Sequence, residues 1–361
     1  MVSDLDKKIR AEVRRGRGAV TNSVGRFEPY ERIEIDDGWH QDDPRAVRTQ
    51  VAIENPRSVI TRNTSPDIAF DRSINPYRGC EHGCIYCFAR PTHAFLGYSA
   101  GLDFETRLIA RPNAPKRLAQ ELSHPGYEVA PIAIGTNTDP YQPIEVRYRV
   151  MRGVLEVLSR FRHPVTIVTK GTLIERDIDL LGEMAQAGLV RVGITITTLD
   201  ATMSRRMEPR VPSPKRQLQI IERLAAEGIP VRVMVAPVVP GLTDHELEAI
   251  LSAAKGAGAM AASYILLRLP GEVAELFQDW LNEHVPDRAA RVMGRMREMR
   301  RGEDYDAQFG ERMVGQGEFA TLLRHRFDIA RRRLDLAREL PELHRDLFAV
   351  PPKPGDQLSL F

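Results

Sequence analysis

The chain has 361 residues, of which 42% are hydrophobic and 28% are charged, enough for one large α/β domain with extensions or two ordinary domains. The net charge of +2 does not by itself require a polyanionic partner. Residues 1–18 are charged and contain no apolar stretch of signal-peptide length. No apolar run approaches the roughly 20 residues of a membrane helix, so the sequence predicts a cytoplasmic protein without a membrane partner.

Residues 1–60 are predicted to form an extension rather than part of the core. The segment has little hydrophobic periodicity, and acidic residues follow its basic part. Its arginines among glycines are Arg14, Arg15, Arg17 and Arg26. Such an arm can contact a phosphate backbone or pack across a neighbouring domain, and a disordered arm is equally compatible with this composition.

Residues 61–285 are predicted to form the core, because short apolar, β-branched runs alternate with segments of helical periodicity. The predicted strands are Ser73–Asn75, Val129–Gly135, Val165–Thr169, Val190–Thr198, Val231–Pro237 and Tyr264–Leu269. Six such repeats suit an α/β fold whose parallel sheet curls into a partial (β/α)6 barrel of the TIM type, with functional loops at the carboxyl ends of the strands. A flat, doubly wound sheet would give a similar pattern, so periodicity leaves both arrangements open.

Residues 286–350 are predicted to form an arginine-rich helical region. The basic residues are Arg288, Arg291, Arg295, Arg297, Arg300, Arg301, Arg324, Arg326, Arg331, Arg332 and Arg333. Apolar residues between them indicate amphipathic helices with a basic face. This face can bind phosphates, or it can be a solvated surface with Asp328, Asp335 and Glu339 as ionic partners.

Three cysteines, Cys80, Cys84 and Cys87, lie within eight positions in the spacing C-x3-C-x2-C. Cytoplasmic thiols stay reduced, so the grouping indicates metal or redox chemistry rather than a disulfide. Three thiolates on one loop can hold three irons of a 4Fe–4S cubane and leave the fourth open to chelate a small molecule. Gly79 and Gly83 allow the backbone to wrap closely around such a cluster.

A zinc site is the main alternative for these cysteines, with His82 as a fourth ligand. Structural zinc sites have four closed ligands, commonly arranged as two separated pairs. The chain has no second pair of cysteines, and His82 lies inside the triplet, from where its reach to the metal is awkward. The spacing therefore favours the iron–sulfur interpretation.

With Tyr86 directly before the third cysteine, this segment resembles the motif of the radical S-adenosylmethionine superfamily. The resemblance covers residues 73–285 and implies one 4Fe–4S cluster, S-adenosyl-L-methionine as a second cofactor, and an electron donor such as flavodoxin or ferredoxin. In this family the reduced cluster cleaves the sulfonium C–S bond and a 5′-deoxyadenosyl radical then abstracts hydrogen from the substrate. The resemblance thus implies an enzyme in which Cys80, Cys84 and Cys87 act through the cluster and Tyr86 contacts the cofactor.

Several predicted strands end in polar residues, which would converge at the mouth of a barrel. Lys170 follows an apolar strand and can pair with the carboxylate of the cofactor. Thr138 and Thr197 can hydrogen-bond its amino acid portion or ribose, and Asp139 belongs to the same polar strand end. Ordinary strand propensity is the alternative explanation for each threonine.

A narrower resemblance is to the branch that contains spore photoproduct lyase and related DNA repair photolyases. The stretch Thr136-Asn137-Thr138-Asp139 is similar to a Cys-x-Ser-Asp stretch of that lyase, and a lysine follows on the next strand. Thr136 stands where the lyase keeps a cysteine that returns hydrogen to its product radical. A threonine O–H bond is too strong for that role, so Tyr141 is the speculative substitute.

Residues 351–361 are predicted to form a proline-rich tail that acts as a stiff, exposed spacer. Its final residues Gln357, Leu358, Leu360 and Phe361 resemble the motif by which bacterial replication and repair proteins bind the sliding clamp. A polar anchor and an apolar plug at a free end suit a pocket on such a partner. The alternative is a tail that folds back and buries its apolar residues on its own domain.

These observations leave three functional hypotheses. The first is a lyase-like radical enzyme that acts on nucleic acid, with a DNA lesion as the substrate. The second is a radical enzyme that acts on a small molecule, a peptide or an RNA base. The third, from another class, is a non-catalytic, metal-stabilised adaptor that binds the sliding clamp.

Overall fold

The centre of the fold is a seven-stranded sheet, seen in a computed structural model that describes residues 9–28 and 46–352. Its strands are β2 (Ile60–Arg62), β3 (Arg72–Ile74), β6 (Ile132–Ile134), β7 (Val165–Thr169), β8 (Val190–Thr195), β9 (Val231–Val238) and β10 (Ala261–Leu266). A second sheet contains β1 (Gln50–Ile53), β4 (Tyr77–Arg78) and β5 (Arg107–Ala110), with β5 in the middle. Strand β1, from the predicted extension, therefore pairs with strands of the predicted core.

The strand order distinguishes the two arrangements that periodicity left open. The large sheet has the order β10-β9-β8-β7-β6-β3-β2, and its neighbours from β3 to β10 are all parallel. A doubly wound sheet reverses its order at a switch point, whereas here each parallel strand neighbours the next one along the chain. The predicted partial barrel of six parallel strands is therefore confirmed.

The predicted strands are all present, although some of their ends differ. The last strand was expected at Tyr264–Leu269 and instead spans Ala261–Leu266. Alanine has weak strand propensity, but Ala261 and Ala262 pair with β9, so tertiary pairing overrides it. The fourth strand ends at Thr195 rather than Thr198, and the Thr198 hydroxyl donates to Glu246 at 2.7 Å.

Helices cover the sheet and pack their apolar faces against it. They are α1 (Asp103–Thr106), α2 (Ala114–Leu122), α3 (Glu145–Tyr148), α4 (Val150–Arg160), α5 (Ile178–Gln186), α6 (Ala201–Met207), α7 (Pro214–Ala226), α8 (Leu247–Gly256), α9 (Val273–His284), α10 (Pro286–Glu298) and α11 (Gly317–Arg333). In α4, Val154, Leu155 and Leu158 are fully buried, as the helical spacing of apolar residues predicts. Helix α7 begins with Ser213 as its N-cap and a proline in its first turn, both of which favour helix initiation.

The C-terminal region covers one edge of the large sheet. Residue Leu266 of β10 donates to the backbone oxygen of Met313 at 2.9 Å, and Ala262 donates to that of Ala337 at 3.0 Å. Helix α11 packs against α8. The outer strand of the barrel therefore has backbone partners from a segment far away in the sequence.

Many arginines of the C-terminal region pair with acids. Arg326 lies 2.6 Å from Glu248, and Arg301 lies 2.7 Å from Glu311. Such pairs support the interpretation of a solvated, ion-paired surface. One residue predicted on the basic face, Arg300, is instead buried. Its guanidinium donates to the backbone carbonyls of Leu267 and Glu311, which offsets the loss of water.

The N-terminal residues 9–28 pack against the core rather than extending away from it, as the contacts of Gly18 below show. The predicted acidic stretch of the extension and the predicted clamp motif, Gln357 to Phe361, lie outside the described residues. None of the helices within 9–28 and 46–352 combines the length and apolar character that crossing a membrane requires.

Candidate functional site

The cysteine loop, residues 79–89, turns back on itself through backbone hydrogen bonds between residues three positions apart. The backbone N–H of Cys87 donates to Cys84 at 3.2 Å, and that of Gly83 donates to Cys80 at 3.3 Å. Gly79 and Gly83 have φ angles of 70° and 67°, where a side chain is strained. A Cβ atom at Gly83 would also lie 2.6 Å from a carboxylate oxygen of Glu105. Both the conformation and the close packing of the loop thus require glycine.

Two fully buried charged residues, Arg90 and Glu105, hold the cysteine loop in place. Arg90 donates to the backbone oxygens of Gly83, Cys84, Ala100 and Gly101 at 2.9–3.2 Å. It also forms an ion pair with Glu105 at 2.6 Å. A buried ion pair is tolerated only when its remaining hydrogen-bonding groups are satisfied, and here the loop backbone satisfies them.

The N-terminal arm completes this arrangement around Glu105. The carboxylate accepts the backbone N–H groups of Gly18 and Ala19, each at 2.9 Å. A Cβ atom at Gly18 would overlap the carbonyl oxygen of Gly83. The arm therefore lies directly against the cysteine loop. Of the alternatives considered for the N-terminal segment, packing across a neighbouring domain fits residues 9–28.

The three thiols have the chemistry of cluster ligands. Cys80 and Cys84 are buried and Cys87 is half-buried. Burial raises the pKa of Cys84, and it raises that of Cys87 to about 11, so their thiolate forms need nearby positive charge, which bound iron supplies. Within 9–28 and 46–352 no three side chains of the His, Cys, Asp or Glu type gather around a single point for one metal ion. A cubane makes a different demand, because each thiolate binds its own iron.

His82 links the loop to the sheet. Its Nδ1 lies 3.3 Å from a carboxylate oxygen of Asp139. Burial alone would lower the pKa of His82, but the Asp139 carboxylate and then Cys80 raise it to about 10. Asp139 also accepts the Thr169 hydroxyl at 2.7 Å and the backbone N–H of Lys170 at 2.8 Å. The imidazole is thus engaged with Asp139 rather than directed at a metal, and the role of Asp139 as a cofactor contact stays a prediction.

Four polar side chains, Tyr86, Lys170, Thr197 and Glu208, meet beside the cysteine loop and form the Lys170–Glu208 group. The ammonium of Lys170 lies 2.9 Å from Glu208 Oε1 and 3.1 Å from the Thr197 hydroxyl. Thr197 donates to the same carboxylate at 2.9 Å, and Tyr86 donates to it from within the loop. Three of the residues predicted as cofactor contacts are therefore brought together.

Burial controls the charges in this group. It raises the pKa of Glu208 to about 8 and lowers that of Lys170 to about 8. The attraction between the two opposite charges opposes both shifts. Glu208 therefore takes up a proton more readily than an ordinary carboxyl, and when it is ionised beside Lys170 the pair complements the ammonium and the carboxylate of an amino acid.

Glu208 was not predicted from the sequence. There it stands between Arg206 and Arg210, which look like its ionic partners. The structure instead pairs Arg210 with Glu81 at 2.8 Å and leaves Glu208 for Lys170. The one available signal was its position at the end of a short amphipathic helix directly before a proline.

The structure does not bring Thr138 or Tyr141 into the Lys170–Glu208 group. The buried Thr138 hydroxyl donates to the backbone oxygen of Tyr77 at 2.9 Å. Tyr141 is also buried, and its pKa is raised well above the usual value by burial and then by Asp177. Their roles as a cofactor contact and as a hydrogen donor stay predictions.

Comparison with known families identifies the class of protein that this fold and site define. The Radical SAM superfamily matches residues 74–254, which is half of the 361-residue chain. The chain belongs to this superfamily, as the cysteine spacing predicted, and it is an enzyme of that class. Membership implies a 4Fe–4S cluster and S-adenosylmethionine as cofactors.

Individual relatives match a large part of the chain. An uncharacterized protein of Mycobacterium tuberculosis is 38% identical over 240 residues, which cover 66% of this chain and 69% of the relative. An uncharacterized protein of Methanocaldococcus jannaschii is 27% identical over 173 residues, which cover 48% of this chain and 62% of the relative. Spore photoproduct lyase complexed with dinucleoside spore photoproduct superposes with a TM-score of 0.57 over 79% of both chains at 14% identity. That likeness shows a shared fold.

Proposed function

We propose that this radical S-adenosylmethionine enzyme acts on nucleic acid, with DNA as its substrate class. In the proposal, Cys80, Cys84 and Cys87 bind the 4Fe–4S cluster. The observation that carries the cofactor part of the proposal is the position of the Lys170–Glu208 group, which Tyr86 joins directly to the cysteine loop. When bound, the two cofactors supply a 5′-deoxyadenosyl radical by reductive cleavage of the sulfonium C–S bond.

The residues of this chain then bind and orient the methionine portion of S-adenosylmethionine. Lys170 donates to its carboxylate, and Glu208 accepts from its ammonium. Thr197, 1% exposed, supplies a hydroxyl between the two charged side chains. Charge-assisted hydrogen bonds in a buried site fix orientation strongly, so the reacting sulfonium would be held beside the loop.

The nucleic acid substrate is supported by the fold shared with spore photoproduct lyase, which has been solved with a dinucleoside photoproduct. Sequence resemblance to the same branch adds support. Because all three cysteines of the chain are assigned to the cluster, a hydrogen donor other than a thiol is part of the proposal. Tyr141 keeps that role, and the exact lesion stays open to experiment.

Two protein partners complete the proposal. An electron donor such as flavodoxin or ferredoxin would reduce the cluster, because reductive cleavage consumes an electron. The tail would bind the sliding clamp through Gln357, Leu358, Leu360 and Phe361. Deletion of residues 357–361 should abolish binding to purified clamp. Unchanged affinity would show that the tail does not bind the clamp.

Anaerobic reconstitution with iron and sulfide, followed by dithionite and S-adenosylmethionine, tests the chemistry. The wild-type protein should produce 5′-deoxyadenosine, and Cys84→Ala should produce none above background. Ser159→Ala, on the outer helix α4, serves as a control that keeps production. If the wild type and Cys84→Ala give the same background level of product, only the hypothesis of a non-catalytic adaptor is left.

A damaged DNA substrate tests the substrate class in the same assay. Irradiated DNA should raise the yield of 5′-deoxyadenosine and should itself change in a product profile. Undamaged DNA of the same sequence is the control. A yield that responds only to peptides or small molecules of a cell extract would exclude nucleic acid as the substrate.

A further inference from the structure

Arg268 lies just beyond the carboxyl end of β10 and is an unpaired cation. It makes no hydrogen bond or ion pair with any other residue in the described ranges 9–28 and 46–352. The acid near it, Asp67, is already engaged, because it pairs with Arg312 and accepts the backbone N–H of Gly310 at 2.6 Å. The guanidinium of Arg268 is therefore available to an anion.

The surroundings of Arg268 make this unpaired charge unfavourable. Its side chain is half-buried, and burial lowers its pKa; Tyr305 opposes this shift, and Arg312 adds to it. A second positive group, Arg300, is close enough to interact with it. Unpaired charges away from water are destabilising, so a bound anion would offset this repulsion.

An exposed aromatic ring lies beside the same guanidinium. Arg268 Cζ is 4.5 Å from the centre of the Phe88 ring, and Phe88 is 43% exposed. Phe88 directly follows Cys87 in the chain, so the ring on which Arg268 packs is next to a proposed cluster ligand. The cation and the ring are therefore adjacent to the proposed cluster.

Two further exposed phenylalanines belong to segments that contact residues 271–272, shortly after Arg268. Phe27 and Phe95 are 57% and 71% exposed and stack with ring centres 5.4 Å apart. Phe95 belongs to the 3-10 helix Arg90–Leu96, whose Pro91 lies next to Gly271, three residues after Arg268. Exposed aromatic side chains gathered in one region of a soluble protein indicate a binding surface.

Arginine beside exposed aromatic rings suits a single strand of nucleic acid. Unpaired bases stack on aromatic side chains whatever their sequence, while guanidinium groups bind the phosphates. Paired bases inside a duplex cannot present their faces in this way. A peptide has neither regularly spaced anions nor successive flat rings, so this surface fits it less well.

We propose that Arg268 and Phe88 bind one unpaired nucleotide of the substrate strand next to the cluster. Arg268 contacts its phosphate, the exposed face of Phe88 stacks on its base, and Phe27 and Phe95 stack on neighbouring bases. This inference rests on the proposed function and adds that the substrate is presented unpaired.

Fluorescence anisotropy of a labelled oligothymidine of about 12 nucleotides, titrated with reconstituted protein, tests this surface. Phe88→Leu should weaken binding roughly ten-fold, since stacking on one base contributes about 1–3 kcal/mol. Arg268→Gln should weaken binding and reduce the slope of log K against log salt by roughly 0.7, the value for one phosphate contact on a single strand. A duplex of the same length should bind more weakly than the single strand.

Two matched substitutions on other surfaces serve as controls. Leu322→Ala removes a side chain that is 51% exposed on α11. Arg160→Gln removes the arginine above Phe161, at the opposite end of the barrel. Both should bind the oligonucleotide like the wild type, and iron content with thermal unfolding shows that every variant is folded and loaded.

The outcomes separate this surface from the proposed function. If Phe88→Leu and Arg268→Gln both bind the oligonucleotide like the wild type, the proposed binding surface is wrong. Production of 5′-deoxyadenosine that depends on nucleic acid would still support the proposed function. If these variants lose affinity but the wild type makes no 5′-deoxyadenosine, the binding surface is supported and the proposed function is wrong. Displacement of the oligonucleotide by polyglutamate as readily as by unlabelled strand would show a general anion site and overturn the assignment.

Discussion

The cysteine loop and the Lys170–Glu208 group are neighbours, yet different kinds of contact hold them. The loop is fixed by Arg90, whose N–H groups reach four backbone oxygens and one buried carboxylate. The Lys170–Glu208 group consists of side chains that bind one another around a single carboxylate. Backbone contacts fix a shape, whereas side-chain contacts can be exchanged for those of a ligand. The first region is therefore a scaffold, and the second is suited to binding.

Removal of the Arg90 guanidinium is expected to have the largest effect. Arg90→Met leaves the Glu105 carboxylate buried without its ionic partner, which costs about 3–5 kcal/mol. The loop carbonyls lose their donors at the same time. Urea unfolding of the apo-protein should show the loss of stability, and reconstitution should give little bound iron.

Arg107→Met is the matched control, because Arg107 is 43% exposed and lies 3.6 Å from Asp103. Because the Arg107 side chain is largely in solvent, the pair contributes at most about 1 kcal/mol, and the buried Asp103 keeps its hydrogen bonds from Asn22 and from the Ser99 backbone. Normal iron content in Arg90→Met would show that the loop does not depend on its buried arginine, and the contrast between the two regions would fail.

Acid should destabilise both ends of the barrel through buried histidines. Burial lowers the pKa of His93, beneath the loop, and of His163, at the start of β7, to about 4. The unfolded chain takes up protons near pH 6.5, so stability is full above that pH and is lost as pH falls toward 4. Each histidine contributes roughly 3 kcal/mol to this loss.

Urea unfolding at several pH values between 7 and 4 measures this effect. His163→Gln should show a shallower fall in stability, because one buried proton acceptor is gone, and should bind iron normally. A fall as steep as that of the wild type would show that His163 is not the titrating group.

A smaller effect, chiefly on ligand affinity, is expected from Lys170→Met, because Glu208, whose pKa burial raises to about 8, takes up a proton when its partner is lost. The variant loses a charge-assisted hydrogen bond to the cofactor's carboxylate, which corresponds to about 1.5–3 kcal/mol, or roughly 10–100-fold in affinity. Equilibrium dialysis with S-adenosylmethionine measures it, with Lys255→Met on the surface as the control. Loss of iron instead of affinity would mean that Lys170 supports the scaffold.

An effect confined to stability is expected where the N-terminal arm meets the loop. Gly18→Ala places a Cβ atom against the carbonyl oxygen of Gly83, and because backbone has to move, the shift costs about 1–3 kcal/mol. Gly182→Ala, in α5 with open space around it, should be neutral or slightly stabilising. Equal unfolding midpoints for the two variants would show that the arm adjusts without strain.

The features that could be predicted from the sequence are those that repeat along the chain or have a fixed spacing of residues. Alternating strands and helices indicated a parallel α/β sheet, and the C-x3-C-x2-C spacing indicated the superfamily, whose fold is a partial barrel. Lys170 was predicted because a cation at the end of an apolar strand is unusual. These signals are local, so the sequence alone contains them.

The features that the sequence did not predict depend on contacts between distant segments. Arg90 and Glu105 look like surface residues until the fold buries both of them together with the N-terminal arm. Glu208 stands among arginines in the sequence and meets Lys170 only because β7 and β8 lie side by side. Neither periodicity nor spacing carries information of this kind.

The backbone partners that the C-terminal region gives to β10 have a consequence for quaternary behaviour. A chain shortened before Met313 would lose the hydrogen bonds that Leu266 and Ala262 make with that region. The uncovered N–H and C=O groups would then be a template for strand addition by another copy. The terminal region therefore covers an edge at which another copy could otherwise add a strand.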